Sequence, residues 1–226
     1  KVINKKMIIV AIDETDLKKT QELIDNLDPK KCMLKIGSVA FNSIGKEIIY
    51  SAADKNFDIF LDLKLHDIPN TVKKSIQGLV SLPINMITIH VSGGKEMMKA
   101  AMDAVSGTKI KVFGVTALTS LSDEDTNIIY KRKILEQVNV MLDQAEIAGI
   151  DGIVCSPHEL EIVKKRGSFL SVTPGIRLSD SNDDQKRVMK PIEAINLGAD
   201  YLVIGRPITK SNNISETLDK IFLSIK

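Results

Sequence analysis

The sequence contains no tryptophan, and aromatic residues of any kind make up only 4% of it. Any core must therefore be built mainly from Ile, Leu, Val, Met and Ala. Only two cysteines occur, Cys32 and Cys155, far apart and each inside an apolar, strand-like run (CMLKIG, GIVCS). Buried, reduced thiols are the expectation, not a disulfide or a cysteine metal site. The three histidines, His66, His90 and His158, join no His-Cys or carboxylate cluster with metal-ligand spacing, so no metal is expected. A formal net charge of +2 is too small to argue for nucleic acid, and the basic residues are scattered rather than banked on one segment. Anion binding, if present, should be local. No apolar run approaches the roughly 20 residues of a membrane span. The basic start KVINKKMIIVAID is not followed by a long apolar stretch with a small-residue cleavage site. Neither nucleic acid nor a membrane is an expected partner, and the cytoplasm is the expected compartment.

What the 226-residue chain does have is 43% apolar and 27% charged residues, enough apolar material for a sizeable core. Short β-rich apolar runs recur at 7–13, 32–37, 58–65, 85–91, 110–118, 151–156, 169–175 and 200–206. Amphipathic stretches lie between them, for instance 16–27, 70–82, 134–149 and 214–225. In the last of these, Ile214, Leu218, Ile221 and Ile225 share one helical face. Strands alternating with helices predict parallel βαβ units. Eight such units in a chain of this length predict an α/β fold, a closed (β/α)8 TIM barrel forming one domain over 1–226. An open doubly wound sheet is the alternative architecture. The one long polar, irregular stretch, RLSDSNDDQKR at 177–187, follows a strand end and reads as a functional loop.

Strands of a parallel sheet are buried on both faces, so polar residues should gather where they end. Here they gather at the C-terminal ends. The first strand ends in Asp13 and the second carries Lys35. The third carries Asp62 and Lys64, followed by Asp67. The seventh leads into Pro174-Gly175-Ile176-Arg177 and the eighth into Gly205-Arg206. In a barrel these positions converge on one mouth, where active sites lie. Asp62 and Lys64 are two apart, which places both on one face of a regular strand. One buried ion pair could serve structure alone, and such pairs are often replaceable by apolar residues. A convergence of several charges at adjacent strand ends is harder to explain that way. Barrels commonly bind phosphate with the loops after strands seven and eight. Gly175 and Gly205 allow close backbone approach there, and Arg206 offers a bidentate donor. The segment Ser92-Gly93-Gly94 reads as a plain strand-to-helix turn, His90 as a near-core histidine and His158 as a surface or cap residue.

These residues resemble the orotidine 5′-monophosphate decarboxylase family, in its bacterial, single-function form without a fused transferase domain. The similarity runs through AID (11–13), LKIG (34–37), DLKLHDIPNTV (62–72), HVSGG (90–94), VTALTS (115–120), GIVCS (152–156), TPGIR (173–177), DQKR (184–187) and GRPIT (205–209). The pattern Asp-x-Lys-x-x-Asp alone also occurs in related sugar-phosphate decarboxylases and hexulose-phosphate synthases. Those continue with a glycine and a glutamate metal ligand, whereas this chain continues with Ile68-Pro69-Asn70-Thr71. The resemblance implies decarboxylation of orotidine 5′-monophosphate to UMP. Lys35, Asp62, Lys64 and Asp67 would form a charged array in which Lys64 is the proton donor. Asp13 would bind the ribose and Thr119 the pyrimidine. Arg177, Gln185, Gly205 and Arg206 would surround the phosphate. Asp67 and Thr71 would reach into the neighbouring subunit of a homodimer.

The chemistry explains why such residues are needed. Loss of CO2 from C6 of the pyrimidine leaves a vinyl carbanion with no carbonyl in line to absorb its charge. The sequence implies no cofactor electron sink, so the site must stabilise the anion and then protonate it, and a lysine ammonium does both. A related sugar-phosphate decarboxylase or hexulose-phosphate synthase is the alternative function, and dependence on Mg2+ would distinguish it. Two rivals from other classes also remain open from the sequence. A Schiff-base aldolase would need a neutral lysine, which flanking aspartates disfavour. A silent phosphate- or nucleotide-binding module would have no use for Asp62 and Lys64 together.

Overall fold

The computed structural model describes residues 7–178 and 189–226. Its eight strands are β1 (Ile8–Ile12), β2 (Cys32–Gly37), β3 (Ile59–Leu65), β4 (Met86–His90), β5 (Lys111–Val115), β6 (Gly152–Val154), β7 (Leu170–Thr173) and β8 (Tyr201–Ile204). All pair in parallel with their sequence neighbours, and β8 closes on β1, where Ile8 faces Leu202. The fold is a closed (β/α)8 barrel, as the alternation predicts. Most of the polar stretch read at 177–187, including Gln185, lies outside the described residues.

The strands are apolar on both faces because both faces are covered. One set of side chains fills the barrel: Ile9, Ala11, Met33, Phe60, Met86, Phe113, Val172 and Val203. The alternate set, such as Ile8, Val10, Ile12, Leu34 and Leu61, packs outward against the helices. Phe60 and Phe113 are the large rings inside, with centroids 6.1 Å apart. Aliphatic residues do the rest, as the scarcity of aromatics requires. Cys32 and Cys155 are buried and are not joined in a disulfide. Burial and the nearby Glu159 push the Cys155 thiol far up, so it is inert in this setting.

Local signals set the helix ends. Asp16 accepts from Lys19 N at 2.9 Å and opens Leu17–Ile24. Asn213 does the same for Ile214–Ser224, accepting from Glu216 N at 3.1 Å. Pro69 occupies the first position of Pro69–Gln77, where its missing N–H costs nothing. Gly149, at φ 71°, closes Ile134–Ala148 in the left-handed conformation. Between β2 and β3 the chain makes two helices, Ser38–Ile44 and Glu47–Asp54, turning at Gly45 with φ 84°.

The two ends of the barrel differ. At the N-terminal end, side chains just before β4, β6 and β8 clip the strand that precedes each. Asn85 accepts from Ile59 N (2.7 Å), Asp151 from Val112 N (2.8 Å) and Asp200 from Ser171 N (2.9 Å). Asp200 also holds Lys164 at 2.8 Å. These are structural pins. The C-terminal end gathers the residues singled out above.

Candidate active site

β1 and β2 raise Asp13 and Lys35 to the mouth above the Ala11 and Met33 layer. β3 raises Asp62 directly above Phe60, two residues on and on the same inward face. Asp62 is 6% exposed, and its carboxylate is fully engaged. Oδ2 lies 2.8 Å from Lys64 Nζ and 3.4 Å from Lys35 Nζ, and Oδ1 accepts from Thr88 Oγ1 at 2.8 Å. Burial pushes the Asp62 carboxyl up, but Lys35, Lys64 and the two hydrogen bonds outweigh it and hold it below the usual range.

Lys64 reaches this place by an irregular route. Alternation would carry it inward by simple parity, but the β3–β4 register breaks between Leu61 and Leu65. Lys64 itself has φ 49°, the left-handed region. A non-glycine residue there carries a strain of about 1–3 kcal/mol, and such strain concentrates at functional sites. Its N–H, turned out of the ladder, donates to Thr88 Oγ1 at 2.9 Å.

A cavity of about 340 Å³ opens over these groups. Ala11, Phe60, Val154, Val172 and Val203 form its apolar floor, and Asp13, Lys35, Asp62, Lys64 and Thr119 line one part of the rim. Pro174, Gly175, Arg177, Gly205 and Arg206, from the ends of β7 and β8, line the rest. Gly175 has φ 78°, which a side chain would resist. The backbone there is braced, since Arg177 N donates to Met189 O (3.0 Å) and Met189 N to Gly175 O (3.2 Å). Arg177 is buried, with Nη1 donating to Ile176 O at 3.1 Å, while Arg206 is exposed. Four cationic side chains thus face two carboxylates around one cavity, so the ligand it suits is an anion.

Of the residues singled out in the sequence, Asp13, Lys35, Asp62, Lys64, Thr119, Arg177, Gly205 and Arg206 meet at this cavity. Asp67 and Thr71 do not line it. Both are exposed, and Asp67 accepts from Ile68 N at 2.6 Å. Asp67 does not cap the following helix, whose N-terminal cap is Ile68. His66 and His90 pack ring to ring at 5.2 Å beside Lys64. Burial first, then His66 and Lys64, hold His90 below its usual range, so it is a neutral neighbour near pH 7. His158 is exposed, and Ser92-Gly93 lie in a single 3-10 turn, Val91–Gly93. Sequence reading did not pick out Thr88. The available signal was a lone hydroxyl in the apolar strand MITIH, two residues after the inward Met86.

A sequence model of the "Orotidine 5'-phosphate decarboxylase / HUMPS family" matches residues 6–221. The chain belongs to this family. Among relatives named orotidine 5'-phosphate decarboxylase, that of Ehrlichia canis is 45% identical over 221 residues, covering 96% of this chain and 97% of its own. That of Wigglesworthia glossinidia brevipalpis is 47% identical over 221 residues, covering 95% of each. The crystal structure of orotidine 5'-phosphate decarboxylase from Lactobacillus acidophilus superposes with a TM-score of 0.86 at 32% identity, covering 98% of this chain and all of that one. Membership in the orotidine 5'-phosphate decarboxylase / HUMPS family agrees with a barrel whose mouth carries both acid-lysine contacts and arginines.

Proposed function

We propose that the protein decarboxylates orotidine 5′-phosphate to UMP, in pyrimidine nucleotide synthesis, without a cofactor. The observation that carries this reading is the Asp62 carboxylate held between Lys35 and Lys64 at the mouth of the cavity, with Arg177 and Arg206 lining the same cavity. Family membership and the names of the full-length relatives support it.

In this mechanism the phosphate lies against Arg177, Gly205 and Arg206. Asp13 takes the ribose and Thr119 the pyrimidine. The C6–CO2 bond breaks heterolytically, CO2 departs, and the electron pair stays on C6. Lys64 stabilises the pair electrostatically and then transfers its proton to C6. The neutral amine regains a proton from solvent. A unit charge pair at about 4 Å and an effective dielectric near 20 is worth about 4 kcal/mol, roughly a thousandfold in rate. A slow decarboxylation needs more. The remainder comes from preorganisation of the Lys-Asp-Lys cluster and from binding energy at the distant phosphate. The short Lys64–Asp62 contact serves that preorganisation by fixing the ammonium before substrate arrives.

The test is loss of orotidine 5′-phosphate absorbance with purified protein in EDTA. Full activity is expected. Among the described residues no group of three or more His, Cys, Asp or Glu is placed to hold a metal. Activity abolished by EDTA and restored by Mg2+ would overturn the metal-independent mechanism and favour the sugar-phosphate branch of the family.

Arg206→Ala is expected to lower kcat/KM by about a hundredfold, the loss of a charge-assisted phosphate contact worth about 3 kcal/mol. A substrate lacking the phosphate should be nearly indifferent to the change. Equal sensitivity of both substrates would assign Arg206 to the turn rather than to the phosphate.

We further take the protein to be a cytoplasmic homodimer in which Asp67 and Thr71 complete the partner's site. Their exposure outside their own cavity supports this, as does the neighbouring Ile68, which leaves 67% of its surface exposed.

A further inference from the structure

The break in the β3–β4 register has a definite size. Phe60 pairs with Met86 and Leu61 with Ile87, but the next pair is Leu65 with Ile89. Between those pairs β3 spends Asp62, Leu63 and Lys64 where β4 spends only Thr88. Such bulges re-aim side chains, and they leave backbone groups without ladder partners. Thr88 is fully buried, and both of its side-chain hydrogen bonds go into this gap. Its hydroxyl donates to Asp62 Oδ1 at 2.8 Å and accepts from Lys64 N at 2.9 Å. A threonine hydroxyl has one proton to give and lone pairs to receive, so both bonds can exist together. One oxygen therefore orients the carboxylate and anchors the left-handed backbone of the lysine that this carboxylate holds.

We propose that Thr88 is a positioning residue for the decarboxylation, one that sets the backbone of Lys64 and the carboxylate plane of Asp62 in mutual register. Thr88 itself does not line the cavity. Without the hydroxyl, Lys64 N–H loses the acceptor it has in the bulge, and the left-handed residue loses that anchor. The reactive Nζ then drifts, and displacements near 1 Å are enough to slow a preorganised reaction severely. The proposal rests on the functional reading above for its kinetic consequence but not for its structural one.

The decisive variant is Thr88→Val, which keeps the shape and removes both bonds. Its crystal structure is expected to show Lys64 leaving the left-handed region and Nζ displaced from Asp62. Turnover should fall about a hundredfold with KM changed less than about threefold, because the defect lies in placement and not in binding. The acid limb of the kcat/KM profile should also move to higher pH. Asp62 loses a donor that favours its ionised form, while Lys35, Lys64 and His90 still face it. Thr88→Ser, which keeps the hydroxyl, should remain within about fivefold of the parent. If Thr88→Val does not fold, Thr88→Ala removes the same bonds without setting a methyl against the carboxylate, and the same outcomes apply. An unchanged Lys64 conformation with unchanged kcat would overturn the proposal. So would equal impairment of the serine and valine variants, which would make the methyl's packing the important feature. If the parent protein fails to decarboxylate orotidine 5′-phosphate, the functional reading falls, and the crystal comparison still decides whether Thr88 sets Lys64.

Discussion

Lys64→Ala should lower kcat/KM for orotidine 5′-phosphate by more than about a thousandfold while leaving the fold intact. In the proposed mechanism the change removes both the cation that stabilises the carbanion and the proton that quenches it. Stability should suffer little. Asp62 keeps Lys35 at 3.4 Å and Thr88 at 2.8 Å, so its buried carboxylate is not orphaned. Alanine meets the left-handed φ of 49° no worse than lysine does, since neither is branched at Cβ. Lys64→Arg is the informative companion. It restores the charge but not a compact ammonium that can surrender a proton at C6. Binding of UMP should survive in the arginine variant and turnover should not. A loss smaller than about tenfold in Lys64→Ala would remove this residue from the chemistry, because a single well-placed general acid alone contributes about a hundredfold or more.

Much of this site could be read in advance because a parallel barrel leaves few places for charge. With both strand faces buried, the charges of Lys35 and Asp62 had to face one mouth of the barrel, and both residues sit at or past the middle of their strands. Strand β2 has the limits the apolar run suggests, Cys32–Gly37, whereas the run at 110–118 shortens to Lys111–Val115 before the chain leaves the barrel. The route of Lys64 was not legible. Strict alternation predicts the right neighbour, Asp62, for an incomplete reason, because it assumes a regular strand. The register break arises from cross-strand pairing with β4, which no local pattern in β3 announces. Thr88 was overlooked for the same reason, since a lone hydroxyl in a strand usually satisfies itself on nearby backbone. The unequal burial of the two arginines also depends on tertiary contacts. Arg177, whose N–H donates to Met189 O, is buried, and Arg206 is exposed.

The same logic separates Asp67 from the other acids. It lies three residues beyond Lys64, past the end of β3, and its carboxylate turns to Ile68 N and not to its own cavity. If it acts in catalysis, it must do so in another chain. Two inactive variants should then rescue each other. Asp67→Ala homodimers lack the acid in both sites, and Lys64→Ala homodimers lack the proton donor in both. A mixed dimer contains one site with both defects and one with neither. Unfolding and remixing equal amounts of the two should restore about a quarter of parental activity, because about half the dimers are mixed and each holds one intact site of two. The recovery should follow subunit exchange in time and should fail when either variant is refolded alone. No recovery from variants shown to exchange would return Asp67 to its own chain, where its observed role is a turn contact with Ile68 and nothing in the cavity.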